Sequence, residues 1–104
     1  MGAILTLKKP LETLLDLSAL SELVLAQTQE LETVKLAYGR ETVLLSELFT
    51  ITPSAEEGLT LNGELRLCIN AGAGLREGKM TIASAVGASA GEGMTGGELV
   101  VQGS

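Results

Sequence analysis

Four groups of residues in this chain have types that can do chemistry. Cys68 sits in the run Leu65-Arg66-Leu67-Cys68-Ile69. Strict alternation would place its thiol on the face opposite Leu67 and Ile69. A cysteine becomes a nucleophile when a neighbouring base or cation makes it a thiolate. The sequence contains no histidine, so the usual activator is missing and a packing or surface cysteine is the plainer reading. The same absence removes the commonest general base and the commonest metal ligand. Gly87-Ala-Ser-Ala-Gly91-Glu-Gly93 is loosely like a phosphate-cradling loop. No Walker lysine follows it and no helical pattern opens after it, whereas such loops need strand, loop and helix in order. Turn glycines explain the spacing better. The pairs Glu30/Glu32 and Glu56/Glu57 have nothing to orient them and read as solvated acids. Met80 and Met94 suit either a ligand groove or adaptable apolar filling, and filling is the simpler role. No catalytic, cofactor-binding or metal-binding residue is assigned, and no cofactor is expected.

Composition narrows the possibilities further. The 104 residues suit one small domain with a modest core. Apolar residues make up 45% of the chain but aromatics only 2%, Tyr38 and Phe49 being the whole supply. The core must therefore be aliphatic. A net charge of −6 opposes binding to nucleic acid and to anionic membranes. Residues 1–57 carry nine acids against four bases, while residues 58–104 carry four against three. The second half is thus close to neutral and suits packing against protein. One cysteine allows no internal disulfide, no apolar stretch has the length of a membrane span, and the first nine residues lack the charge order of a signal peptide. A cytoplasmic location is expected.

The elements that would position these residues follow from periodicity and punctuation. Residues 3–8 alternate as a strand, closed by Pro10. Residues 11–17 are leucine-rich and fit either a strand or a helix. Ser18 is a candidate cap for a short helix with Leu20, Leu23 and Val24 on one face. Residues 28–32 read as a polar connection. Residues 33–37 and 41–45 read as strands around a turn at Tyr38-Gly39-Arg40, and residues 46–49 as one helical turn. Residues 50–58, with Pro53 and two acids, read as a linker.

From Gly58 the chain changes character, and eleven of its thirteen glycines fall in the last 47 residues. Short alternating segments lie between them at residues 59–61, 65–69, 80–82 and 99–101. Leu65, Leu67, Ile69, Met80, Ile82, Leu99 and Val101 are expected inward, and Arg66, Lys79, Thr81, Glu98 and Gln102 outward. Residues 69–74 match residues 86–91 at a spacing of seventeen, and residues 78–82 match residues 97–101 at nineteen. The difference places an insertion in the turn Glu92 to Gly96. A period near twenty with small residues at corners marks a β-solenoid coil. Gly72, Gly74, Gly78, Gly87, Gly91, Gly93, Gly96 and Gly97 are the expected structural turns. The predicted fold is mainly β: a short right-handed β-helix (solenoid) stub over residues 58–104, preceded by a small mixed α/β capping region over residues 1–57. About two coils are visible, and the last would leave an open edge beyond Val101.

The block Ala90-Gly91-Glu92-Gly93-Met94-Thr95-Gly96-Gly97 followed by a strand, within the run from Gly78 to Gly103, resembles the C-type subunit of formylmethanofuran dehydrogenase and its bacterial counterpart in the formyltransferase/hydrolase complex. Both belong to the superfamily of the C-terminal domain of glutamate synthase, a right-handed β-helix. Leu5-Thr-Leu, Leu15-Asp-Leu-Ser and Leu44-Leu-Ser-Glu-Leu-Phe49 resemble the opening region of that family. Family members continue through several more coils, so the resemblance implies a truncated or shorter form. It further implies a non-catalytic scaffold in one-carbon metabolism, with formyltransferase-like and amidohydrolase-like subunits as partners. The pattern alone also admits a self-assembling β-solenoid module whose partner is a second copy of itself.

Overall fold

The structure, a computed structural model, describes residues 2–23, 28–83 and 90–102. Val24, Gly87 and the block 86–89 lie outside the described residues. The fold is mainly β, with two sheets. The first strand, β1 (Gly2–Leu7), forms where the opening residues alternate. A two-residue strand β2 (Leu15–Asp16) follows, then a 3₁₀ helix over Ser18–Glu22. The leucine-rich segment is therefore a strand entering a tight helical turn. A single turn α1 (Thr28–Leu31) replaces the polar connection expected there. Its Leu31 is fully buried, and that apolar anchor draws the segment into helix. The hairpin β3 (Lys35–Tyr38) and β4 (Glu41–Leu44) turns through Gly39 and Arg40, with Gly39 at φ +60°. The helical turn α2 (Leu45–Leu48) runs directly into β5 (Phe49–Ser54). Then come β6 (Gly58–Asn62), β7 (Cys68–Ile69), β8 (Lys79–Ile82) and β9 (Glu98–Val101).

One sheet has the order β5-β1-β6-β8-β9 and the other β4-β3-β2-β7. Strands β1, β6, β8 and β9 are mutually parallel, and β7 lies parallel on β2. Only β5 and the β3–β4 hairpin run antiparallel. Both sheets thus draw strands from either side of residue 58, and one aliphatic cluster joins them. It includes Leu5, Leu15, Leu36, Leu61, Leu75 and Ile82, with Phe49 as its one aromatic ring.

The segment expected to be a linker is instead mostly the edge strand β5, antiparallel to β1 from Gly2↔Ser54 to Leu7↔Phe49. Lys8 N–H donates to the Leu48 carbonyl at 2.9 Å. Bonded pairs alternate along an antiparallel ladder, so Thr50, Thr52 and Ser54 bond to β1, while Phe49, Ile51 and Pro53 turn their backbone outward. Pro53 occupies a position where no ladder bond needs its missing N–H, which is why proline is compatible with strand here.

A second correction concerns Cys68. The Cys68 N–H donates to the Leu65 carbonyl at 2.9 Å, closing a turn within the run that alternation treats as straight. The turn shifts the parity. Leu65 and Cys68 are buried, whereas Leu67 and Ile69 are only half-buried.

The repeat offset is also corrected. Gly72, Gly74 and Gly78 have φ of 72°, 74° and 83°, and Gly91, Gly93 and Gly97 have 72°, 73° and 72°. Strand β9 sits on β8 with Met80↔Leu99 and Ile82↔Val101. The corner stacks by the same nineteen-residue step, with Gly74 N–H donating to Glu92 O, Gly91 N–H to Ala71 O and Thr95 N–H to Leu75 O. Residues 71–82 therefore match residues 90–101 without a break. The seventeen-residue spacing and the insertion at Glu92 to Gly96 do not hold. The step from β6 to β8 is twenty-one, Leu59 lying on Met80.

Gly97 is hemmed in by its neighbours: a Cβ there would lie 3.0 Å from the Gly78 carbonyl and 3.1 Å from Leu75 Cγ, at φ +72°. Gly74 has φ +74° with nothing within 4 Å of a Cβ. Gly74→Ala should therefore cost about 1 kcal/mol from the left-handed backbone alone. Gly97→Ala should cost at least about 1 kcal/mol more through overpacking. Urea unfolding of the two variants checks the ranking, and equal midpoints would contradict it.

Candidate functional site

The expected turn glycines come together at two stacked corners, residues 71–78 and 90–97, while Gly87 lies outside the described residues. Gly96 differs from its neighbours in lacking a positive φ. It is instead excluded from bearing a side chain because a Cβ would collide with the Arg76 carbonyl oxygen. Leu99 packs on the corner: a Cβ at Gly72 would lie 3.1 Å from its Cδ2, and one at Gly91 3.2 Å from the same atom. The glycines make room for this leucine.

Beyond the corner, β9 is the edge of its sheet among the described residues. Glu98 N–H donates to Gly78 O at 2.9 Å and Gln102 N–H to Ile82 O at 2.8 Å. Along a strand the backbone groups alternate in direction. Residues 98, 100 and 102 thus face β8, and Leu99 and Val101 turn their N–H and C=O to the open side. Alternation places Leu99 and Val101 inward, yet Leu99 is only half-buried and Val101 is 38% exposed. Both follow the register of the buried Met80 and Ile82, without a further described strand to cover them.

The reactive residue types do not assemble. Cys68 is fully buried, and desolvation pushes its thiol up to about 12. That is the reverse of an activated nucleophile. Glu30, Glu32, Glu56 and Glu57 are exposed, and no group of His, Cys, Asp and Glu able to hold a metal ion exists among the described residues. Met80 is buried in the core and Met94 half-buried beside Gly91, as filling residues would be. A groove of about 270 Å³ runs past Lys9, Glu12, Tyr38, Glu41 and Glu47. Tyr38 Oη accepts the Glu12 N–H at 2.8 Å, so the one hydroxyl there already holds the groove wall.

One structural residue has no counterpart among the sequence expectations. Asp16 Oδ1 accepts the Ser18 N–H at 2.8 Å. It, and not Ser18, secures the entry to the 3₁₀ helix, whose N-cap is Leu17 without a side-chain bond. Asp16 also hydrogen-bonds Asn70, the one non-glycine with positive φ (58°) among the described residues. The signal was the Asp-x-Ser spacing of a local side-chain turn. Burial raises the Asp16 carboxyl, but the bonds to Ser18 and Asn70 outweigh it and leave its pKa below the ordinary value.

No protein-family model matches this chain, and no curated protein matches it. No helix among the described residues is long and apolar enough to cross a membrane.

Two outcomes follow from this geometry. Cys68 should resist thiol reagents in the folded protein and react at the unfolding rate. Stopped-flow labelling at pH 8 reads this, and fast labelling without unfolding would contradict the burial. Asp16, with its pKa lowered by folding, contributes stability above about pH 4 that is lost as pH falls through its folded value. The wild type should therefore exceed Asp16→Asn in urea midpoint at pH 7, with the gap closing toward pH 2. A gap independent of pH would show that the charge is not the source.

Proposed function

We propose that this chain is a short right-handed β-helix acting as a non-catalytic scaffold subunit, of the kind its sequence resembles in formylmethanofuran dehydrogenase and the formyltransferase/hydrolase complex. The observation that carries the reading is the stack of parallel strands β1, β6, β8 and β9, with β7 on β2 in the second sheet and glycine corners recurring at a nineteen-residue step. Successive parallel strands joined through a second layer are what a solenoid requires. The right-handed sense follows the strong preference of parallel crossovers. The role as a scaffold draws support from the Cys68 thiol, which is fully buried with its pKa pushed up to about 12.

Affinity capture of the tagged chain from cells of its source tests the scaffold reading. Recovery of formyltransferase-like and amidohydrolase-like partners at stoichiometric levels is the expected result. Capture without either overturns it.

A further inference from the structure

We propose that two copies of this chain join through their β4 edges, the outer strands of their β3–β4 hairpins, as an antiparallel pair centred on Val43. The proposal goes beyond the scaffold reading and does not depend on it.

Strand β4 lies inside the chain, at one end of the second sheet, with β3 as its neighbour. The chain enters it from the turn at Gly39 and Arg40 and leaves it through α2. Leu45 N–H donates to the Val34 carbonyl at 2.8 Å. Bonded pairs alternate along an antiparallel ladder, so Val43 bonds to Leu36 and Glu41 to Tyr38. Thr42 and Leu44 thus turn their N–H and C=O away from β3, to a side where no described strand pairs. The β5 edge of the first sheet differs. Its Phe49 N–H is taken by the Leu45 carbonyl and Pro53 has none, so Ile51 is its one outward donor. Strand β4 offers a donor and an acceptor at both outward positions, and carries none of the prolines or lysines that blunt natural edges.

The backbone selects the register. Centring the pair on Val43 places Thr42 of each copy opposite Leu44 of the other. Each such pair exchanges two backbone hydrogen bonds, four in all. A centre on Thr42 keeps one such pair within the strands, because Leu44 would then face Arg40 in the turn. A centre on Leu44 also keeps one, because Thr42 would then face Ser46 in α2.

Side chains fit the same register. Thr42 lies beside Leu44 on one face, and Val43 beside its own copy on the other, as β-branched residues favour. Glu41 faces Leu45, so the two carboxylates stay apart. Arg40, exposed at the hairpin tip, comes beside Ser46 of the second copy, next to the exposed Glu47. Neither Arg40 nor Glu47 has an ion pair within its own chain among the described residues. The two-fold axis brings these opposite charges together twice and closes the assembly at a dimer.

Sedimentation and cross-linking test this on the whole chain. The wild type should sediment at twice 10.7 kDa at high concentration. Val43→Cys should form a disulfide-linked dimer on mild oxidation, because Cα atoms of a non-bonded antiparallel pair lie about 4.5 Å apart, within disulfide reach. Glu41→Cys should not, since its copies would lie about 13 Å apart along the strand. Cys68 is buried and does not compete. Thr42→Pro removes an outward N–H that the hairpin does not use. It should keep the fold by circular dichroism and raise the dissociation constant of the dimer by about tenfold or more. A monomer at every concentration overturns the proposal. A dimer in which Val43→Cys fails to cross-link, or whose dissociation constant Thr42→Pro leaves unchanged, overturns the β4 interface.

Discussion

Backbone laid on backbone at a fixed nineteen-residue step is the constraint on which the second half of this fold depends. Gly74 N–H to Glu92 O, Gly91 N–H to Ala71 O and Glu98 N–H to Gly78 O place each corner directly on the one before it. Two chains of peptide units can approach this closely only where a Cβ is absent or points away. At Gly97 a side chain would press on the Gly78 carbonyl, and at Gly96 it would collide with Arg76. Glycine at these positions loses more conformational entropy on folding than any other residue, and the close stack offsets that loss with hydrogen bonds and apolar contact.

The apolar contact explains the alternation on either side. Leu59, Met80 and Leu99 lie in one column and Leu61, Ile82 and Val101 in the next. The two inner layers are fully buried, and exposure rises only in the outermost one. The same logic governs the second sheet, where Cys68 lies on Leu15 as one more apolar filler. Its raised pKa is a consequence of that position: burial in the core that β7 closes disfavours the charged thiolate. Packing thus keeps the chain's single thiol protonated and out of reach of solvent.

The first half answers a different problem. Residues 18–54 leave the stack after β2 and return by β5, which covers the far side of β1. That excursion carries Leu20, Leu31, Leu36, Leu45 and Phe49 into the same core. Its return strand bears Pro53 outward, where no ladder bond to β1 needs the missing N–H.

Several features were legible in the residues alone. An aliphatic core, the absence of a histidine-based site, the strand at residues 3–7, the hairpin around Gly39 and the inward faces of Met80 and Ile82 all follow from residue type and period-two alternation, which are local properties. The resemblance to a β-helix family rests on the same glycine spacing. Local reading failed wherever a distant partner set the outcome. Residues 50–58 look like a linker because they hold Pro53 and two acids, yet β1 offers residues 50–54 a ladder in which Pro53 gives up no bond. Cys68 moved from the outer face to the core because one turn at Leu65 changed the parity of the residues up to Ile69. The nineteen-residue register between residues 71–82 and 90–101 became visible only when paired φ values and cross-corner hydrogen bonds aligned Gly72 with Gly91. Asp16 gained its role from Asn70, fifty-four positions away, which the parallel pairing of β2 with β7 brings alongside. Sequence determines what each segment can bury and where it can bend. Tertiary structure decides which edges are satisfied, because a strand's backbone groups take their partners from segments that no local pattern names.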